Sequence, residues 1–425
     1  MSGKKLPLFA SLIATIIGAT GCGATMDNSS PSTSEAASTG KITLEFLQNK
    51  PEVVNQWNEI IEQFERKYPN IVVKQINPPN TDTTLQADVA KNQLPDIVAM
   101  GADATFIQMA QNGVFVDLSS SSMTSRVSPS YLAMLEREVG KKYPYGIPYT
   151  VNAVPIIYNV TLFNKYHLSI PRTWSQLMNE AEAIRKKGGT PFYNGFKDSW
   201  TIAPIWCALA ANTEGADFIQ KLKSGKASFS TSDVAAAERL KQFVSMGQSN
   251  QFGVDYNDAN AAFANGKSVF YAQGIWTIPV LRTDNPNIKL GTFVLPATND
   301  PSSVKMVSGI DTLLAITNTG DTAREQAALK FVSFLLSPSV ASEYASDAGL
   351  FSAVKGVKNT DPALQPLQAF ITDGRVVDFD DHYYPPAMAA GDQYESLLQG
   401  SLEKNESVEQ MLKQMDTLYS SAASH

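Results

Sequence analysis

Charge is scarce in this chain, and so are the residues that most often carry catalysis or bind metal. Only 18% of its 425 residues are Asp, Glu, Lys or Arg, histidine occurs three times and cysteine twice. Lysine and arginine form no cluster, and the formal net charge is −7, so a nucleic-acid backbone is excluded as a partner by simple electrostatics. Two cysteines, Cys22 and Cys207, supply neither a disulfide framework nor a four-thiolate zinc site. Cys207 stands in the apolar stretch Ala203 to Ala211 and reads as a buried thiol. His382 stands among Asp380, Asp381, Tyr383 and Tyr384, yet no helical His-Glu pair accompanies it, so it reads as part of a loop and not as a metal centre. Nucleophile elbows, phosphate loops and internal repeats are missing as well.

One apolar run is present, at the very start. Lys4 and Lys5 precede Leu6 to Ala19, and Ala19-Thr20-Gly21-Cys22 follows. A basic start, a short apolar core and small residues have the form of a signal peptide, too short to be a membrane span. The tetrapeptide resembles the bacterial lipobox, which implies a diacylated Cys22 as the mature N-terminus. Residues 23–40 are rich in Ser, Thr, Ala and Gly, too polar to bury a core, and read as a flexible tether. Residues 1–21 are thus expected to be the leader and 22–40 the lipidated leash.

From Lys41 onward, strand and helix patterns alternate, which is an α/β signature. Lys41 to Leu47, Ile71 to Ile76 and Pro95 to Met100 read as strands. Between the first two, Val53, Val54, Trp57, Ile60, Ile61 and Phe64 mark one face of a helix, with Trp57 in the core. The organising stretch is Tyr145 to Phe163. Pro148 and Pro155 interrupt any helical pattern there, so an extended ribbon is expected to pass from one α/β half into another. Thr173 is the expected N-cap of a helix over Gln176 to Lys187, and Pro191 to Asn194 reads as a strand leading into the loop Gly195 to Trp200. Met306 to Asp311 begins a second return between the halves, and the tail from about Asp361 is helical with a break at Asp378 to Pro385.

These pieces occur in a familiar order. Phe64, Tyr68 and Pro69 are followed by Pro95-Asp96-Ile97-Val98, Gly113 to Leu118, and Gly146-Ile147-Pro148 with Tyr158-Asn159. Pro171 to Trp174, Ala264 to Lys267 and Gly274-Ile275-Trp276 complete the set. Over residues 41–425 the chain resembles the family 1 extracellular solute-binding proteins, the sugar-capturing components of ABC importers, and is similar to maltose-binding and multiple-sugar-binding proteins. The resemblance implies a two-lobed periplasmic-binding-protein-like fold with interleaved segments, 41–151 with 302–356 and 152–301 with 357–425, joined by a hinge. It implies an oligosaccharide held between the lobes, permease subunits as partners, no cofactor and no catalysis, in a monomer. The location implied is the outer face of the cytoplasmic membrane, lipid-anchored as in Gram-positive bacteria.

Carried over position by position, the family's contacts fall on Asp103, on Asp198 with Trp200, and on Trp276. Tyr149, Gly309 and Asp311 are hinge and wall candidates by position. A pyranose offers apolar C–H faces and a rim of hydroxyls, so aromatic platforms and amide or carboxylate partners suit it. Asn152, Gln273 and Asn49 add such partners, and Trp206 divides between core and platform. Several aromatics favour a di- to tetrasaccharide of α-galactoside, fructo- or gluco-type. The alternatives are a sugar alcohol or a glycerophosphodiester, which calls for a basic contact at Lys50 or Lys197, and an exported glycoside hydrolase, which needs a carboxylate pair such as Asp103 and Asp198.

Overall fold

A computed structural model describes residues 40–424 apart from 79–80, 141–143 and 390–391. Cys22, the leader and the tether up to residue 39 lie outside the described residues. Lys41–His425 forms one compact unit that holds every described core and so constitutes a folding body of its own. Among the described residues no helix is long and apolar enough to cross a membrane.

The strands follow in chain order as β1 (Ile42–Gln48), β2 (Ile71–Ile76), β3 (Ile97–Met100), β4 (Ile147–Val151) and β5 (Pro155–Asn159). Then come β6 (Phe270–Ala272), β7 (Leu290–Val294), β8 (Met306–Val307), β9 (Ile310–Ile316), β10 (Phe351–Ser352) and β11 (Val376–Val377). Six of them make a mixed sheet in the order β10-β4-β9-β3-β1-β2. In it β1 runs parallel to β2 and β3, whereas β9 lies antiparallel to β3 and β4. A three-stranded antiparallel sheet, β6-β5-β7, and a parallel pair, β8 with β11, stand apart from it. The chain therefore leaves the large sheet at Val151 and enters the small one at Pro155, and the three residues between are the crossing. A return crossing lies between β8 and β9, at Ser308 and Gly309.

Local chemistry accounts for the elements. Val54–Lys67 is helical because Trp57, Ile60, Ile61 and Phe64 recur on one face and bury it against the large sheet, where Phe46 meets Trp57 edge-on at 4.9 Å. Thr173 caps Trp174–Lys186 by accepting from the Gln176 N–H at 3.2 Å. Trp174 is buried and its indole N–H reaches Gln242 at 2.8 Å, so it is structural. The helix Ala203–Thr213 is apolar on all sides and runs through the core under the small sheet, carrying buried Trp206 and Cys207. Trp206 is thereby core and not a platform.

Two expectations fail. The ribbon does not remain extended to Phe163: Asn159 accepts from the Leu162 N–H at 3.1 Å and starts the helix Val160–Tyr166. Nor is Pro191 to Asn194 a strand. Only Phe192 makes bridges, to Gly247 and Phe270, while the Asn194 N–H is taken by the Gln248 side chain at 2.9 Å instead of a neighbouring strand.

The core of the small-sheet half also holds an unusual group of acids. Asp233 is fully buried and Asp380 nearly so, with Glu214 between them in contact with both. Neither oxygen of Asp233 has a hydrogen-bond partner, nor do Glu214 Oε2 and Asp380 Oδ2. Burial pushes the Asp233 carboxyl up to about 7, neighbouring Glu214 opposes that rise, and nearby Asp416 adds to it. Burial and the neighbouring carboxylates Asp380 and Asp233 push Glu214 up too. A carboxyl whose folded pKa lies above its unfolded value near 3.8 favours folding while protonated, and loses that contribution as pH rises through the folded value. Chemical denaturation of Lys41–His425 is thus expected to show stability falling between pH 4 and about 7. Asp233→Asn, which keeps the shape but removes the titration, is expected to shallow that slope; an unchanged slope in the variant would disprove the assignment.

Candidate functional site

Polar and aromatic candidates gather where the two crossings lie side by side. Asn152 donates its N–H to the Gly309 carbonyl at 3.1 Å and accepts the Gly309 N–H on its side-chain oxygen at 2.9 Å. Val154 bonds the Val307 carbonyl at 3.0 Å, so the outgoing and returning strands are laced together on both sides of Gly309. Ser308 is buried there and its hydroxyl pairs with Tyr131 at 2.6 Å. A side chain at Gly309 would press on the rings of Phe379 and His382 at 3.0–3.1 Å, so the position admits little beyond glycine. These few residues join the outgoing and the returning chain where it passes between the sheets.

The Gly274-Ile275-Trp276 turn is anchored to the same place. The Ile275 N–H bonds the Ala153 carbonyl at 3.0 Å. Trp276 remains partly exposed beside the core of the small-sheet half, and its ring folds back over Gly274 so closely that a Cβ there would lie 2.1 Å from it. Glycine at 274 is therefore what lets the ring lie flat at the turn. Gln273 is buried beneath it and its Oε1 accepts from the Gly274 N–H at 3.0 Å, so its amide supports the turn and is not offered at a surface.

On the large sheet, the C-terminal ends of β1 and β3 point to this region, the end at which open α/β sheets place ligands. Asp103 follows β3, is partly exposed, and caps Ala104–Gln111 by accepting from the Phe106 N–H at 2.9 Å. Burial pushes its carboxyl up to about 6, while the Phe106 N–H pulls it down and Asp82 raises it further. Asn49, partly exposed, follows β1. Gln48 beside it is buried and bonded to Gln75 at 2.9 Å, and Lys50 reaches across to Asp311 at 2.5 Å. Asp311 also accepts from the hydroxyls of Thr150 and Thr312, each at 3.0 Å. Its charge is thus engaged within the protein.

Tyr149 departs from its expected place on the wall. It is 0% exposed, stacked on Trp57 at 5.9 Å and tilted against Tyr344 at 5.2 Å in the core of the large-sheet half. Tyr149 shares the core face of Ile147, two residues before it, as strand alternation requires, and Thr150 on the alternate face reaches Asp311. Asp198 and Trp200 form a separate group. Asp198 accepts from the Tyr256 N–H at 2.9 Å, and Trp200 lies 4.9 Å from the Tyr256 ring. Among the described residues no hydrogen bond joins this pair to the crossings. A shallow groove of about 590 Å³ along Val408–Ala423 shares no residue with either group.

Sequence reasoning missed the helix Pro129–Val139 as part of this neighbourhood, although it contributes Tyr131 to Ser308 and Glu138 to His382. A single amphipathic helix carries no sign of which loop it will meet.

This architecture, two sheets joined by laced crossings with aromatic and carboxylate side chains beside them, is that of a two-lobed solute-binding protein. The sequence pattern of the family described as bacterial extracellular solute-binding protein matches residues 59–370, and the chain belongs to that family. It is 29% identical over 354 residues to the multiple sugar-binding protein of Streptococcus mutans, covering 81% of this chain and 83% of that one. The apo form of RafE from Streptococcus pneumoniae superposes with a TM-score of 0.80 at 25% identity, covering 90% of this chain and 98% of that one. RafE in complex with raffinose gives 0.73 at 25% identity, over 90% of this chain and all of that one.

Asp103 carries a structural duty that can be measured separately from ligand. Asp103→Ala removes the cap on Ala104–Gln111 and is expected to lower stability by about 1 kcal/mol in urea denaturation. Asp103→Asn, which still caps, is expected to retain most of it.

Proposed function

We propose that the chain captures a di- to tetrasaccharide between its two lobes and hands it to the permease of an ABC importer. The sugar closes the lobes about the Asn152–Gly309 crossing. The observation that carries this reading is the convergence of a partly exposed Trp276, an acidic Asp103 and the laced crossings in one place. Trp276 offers a face to the C–H surface of one ring, while Asp103 and Asn49 accept from or donate to hydroxyls. The likeness to a multiple sugar-binding protein and to RafE in complex with raffinose supports a sugar of that size. Asp198 and Trp200 extend the contact set if closure brings Tyr256 and its partners toward the crossings. The relatives are solute-binding proteins and not enzymes, which favours capture over hydrolysis.

The charge pattern weighs against a glycerophosphodiester. Of the two basic candidates, Lys50 is paired with Asp311 at 2.5 Å and Lys197 with Asp255 at 3.6 Å. A phosphate would have to compete with a carboxylate for either one. We further propose that acylated Cys22 tethers the protein to the outer face of the cytoplasmic membrane as a monomer, since two acyl chains contribute about 0.8 kcal/mol per buried CH₂.

Thermal unfolding against raffinose, stachyose, other oligosaccharides, sugar alcohols and glycerophosphodiesters tests the reading. A ligand at 100 times its Kd adds about 2.7 kcal/mol, enough to move Tm. Trp276→Ala is expected to weaken the responsive sugar by about tenfold to a hundredfold, the equivalent of losing most of an aromatic face. Response to a phosphodiester alone would replace the sugar reading. Titration calorimetry adds a pH signature. Asp103 accepts best when ionised, so affinity is expected to fall as pH drops through about 6, and Asp103→Asn is expected to remove that fall.

A further inference from the structure

We propose that Glu138, Asp378 and His382 form a binding site for a zinc-type divalent cation beside the hinge. Their ligand atoms all lie within 4.8 Å of one another. His382 Nδ1 is 3.0 Å from Asp378 Oδ1 and 3.3 Å from Glu138 Oε1. Tetrahedral zinc, with bonds of about 2.0–2.2 Å to nitrogen and oxygen, spaces its ligand atoms at about 3.3 Å, so the donors stand almost where the ion needs them. A nitrogen with two carboxylates suits zinc better than calcium, which takes six to eight oxygens.

Two further features point the same way. The Glu138 side chain is fully buried, yet its Oε2 has no hydrogen-bond partner. Two carboxylates also face a single imidazole, and among the described residues neither is paired with a lysine or arginine. A divalent ion supplies the missing positive charge and the missing partner together. Asp378 is already held in position, because its Oδ2 accepts from the Tyr383 hydroxyl at 2.8 Å, the kind of outer support that orients a metal ligand. The His382 side chain is 35% exposed while Glu138 and Asp378 are buried, so the three donors stand at the edge of the core.

The consequence lies in where the donors come from. Glu138 ends the helix Pro129–Val139, whereas Asp378 and His382 follow β11, whose partner β8 leads directly into Ser308 and Gly309. An ion here ties that helix to the returning crossing, and its ligand ring sits against Gly309.

The test is tag-free Lys41–His425, dialysed with chelator and titrated with Zn²⁺ alone against a chromophoric competitor, with Co²⁺ absorption as a second readout. The expected result is one saturable equivalent of Zn²⁺, a tetrahedral Co²⁺ spectrum, and an upward shift of Tm. His382→Ala and Glu138→Gln are each expected to abolish the equivalent while circular dichroism stays unchanged. No saturable Zn²⁺ binding to the parent protein would overturn the site and leave His382 as an imidazolium between two carboxylates. An equivalent that persists in both folded variants would overturn it equally. A variant that fails to fold is replaced by the other, and the folded one decides.

Discussion

The bonds between Asn152 and Gly309 tie the chain that leaves the large sheet to the chain that returns to it. Asn152 follows the last residue of β4 and Gly309 stands between β8 and β9, so the backbone groups of this pair fall outside the strand ladders. They satisfy each other, with the Asn152 side chain supplying the bond that a regular ladder lacks. This makes the junction strong along its length and poor in the rotations it permits. At Gly309 the rings of Phe379 and His382 press from one side, so the direction of bending is limited by packing as well as by bonding.

The same junction explains why the candidate site lies where it does. Strand ends, a helix cap at Asp103 and the Gly274–Trp276 turn converge on it because each is anchored to the crossings or to strands beside them. The chain belongs to the bacterial extracellular solute-binding family, and this convergence is the place the proposed capture of a sugar rests on.

Much of the fold is legible in the sequence because it rests on local physics. Trp57 and its helical stripe, the Thr173 cap, the strand Ile71–Ile76 and the extended crossing each follow from spacing or from a side chain bonding its own backbone. What is not legible depends on partners far away in the chain. Pro191 to Asn194 has strand-like composition, but no neighbour comes to pair with it beyond Phe192. Tyr149 suggests itself by its position on the ribbon; which face of β4 meets the core depends on the helix Val54–Lys67, whose Trp57 stacks on it from far back in the chain. Gln273 suggests itself by its amide, which the turn consumes. Asp311 suggests itself by its charge, which Lys50 engages from a residue 261 positions earlier. Trp276 remains the strongest of the candidates because the glycine that makes room for its ring lies two residues before it.

The order of strands in the large sheet has a consequence for how the chain comes into being. β1, β2 and β3 are complete by Met100, yet β3 finds its other neighbour only in β9, which begins at Ile310. Until then β3 has an open edge, and β4 lacks both of its neighbours, β9 and β10. Such long-range pairing raises contact order and slows folding. A chain synthesised from its N-terminus therefore stays incompletely paired until most of it has emerged. The large sheet closes only once β9 and β10 arrive, so its folding waits on the last third of the chain.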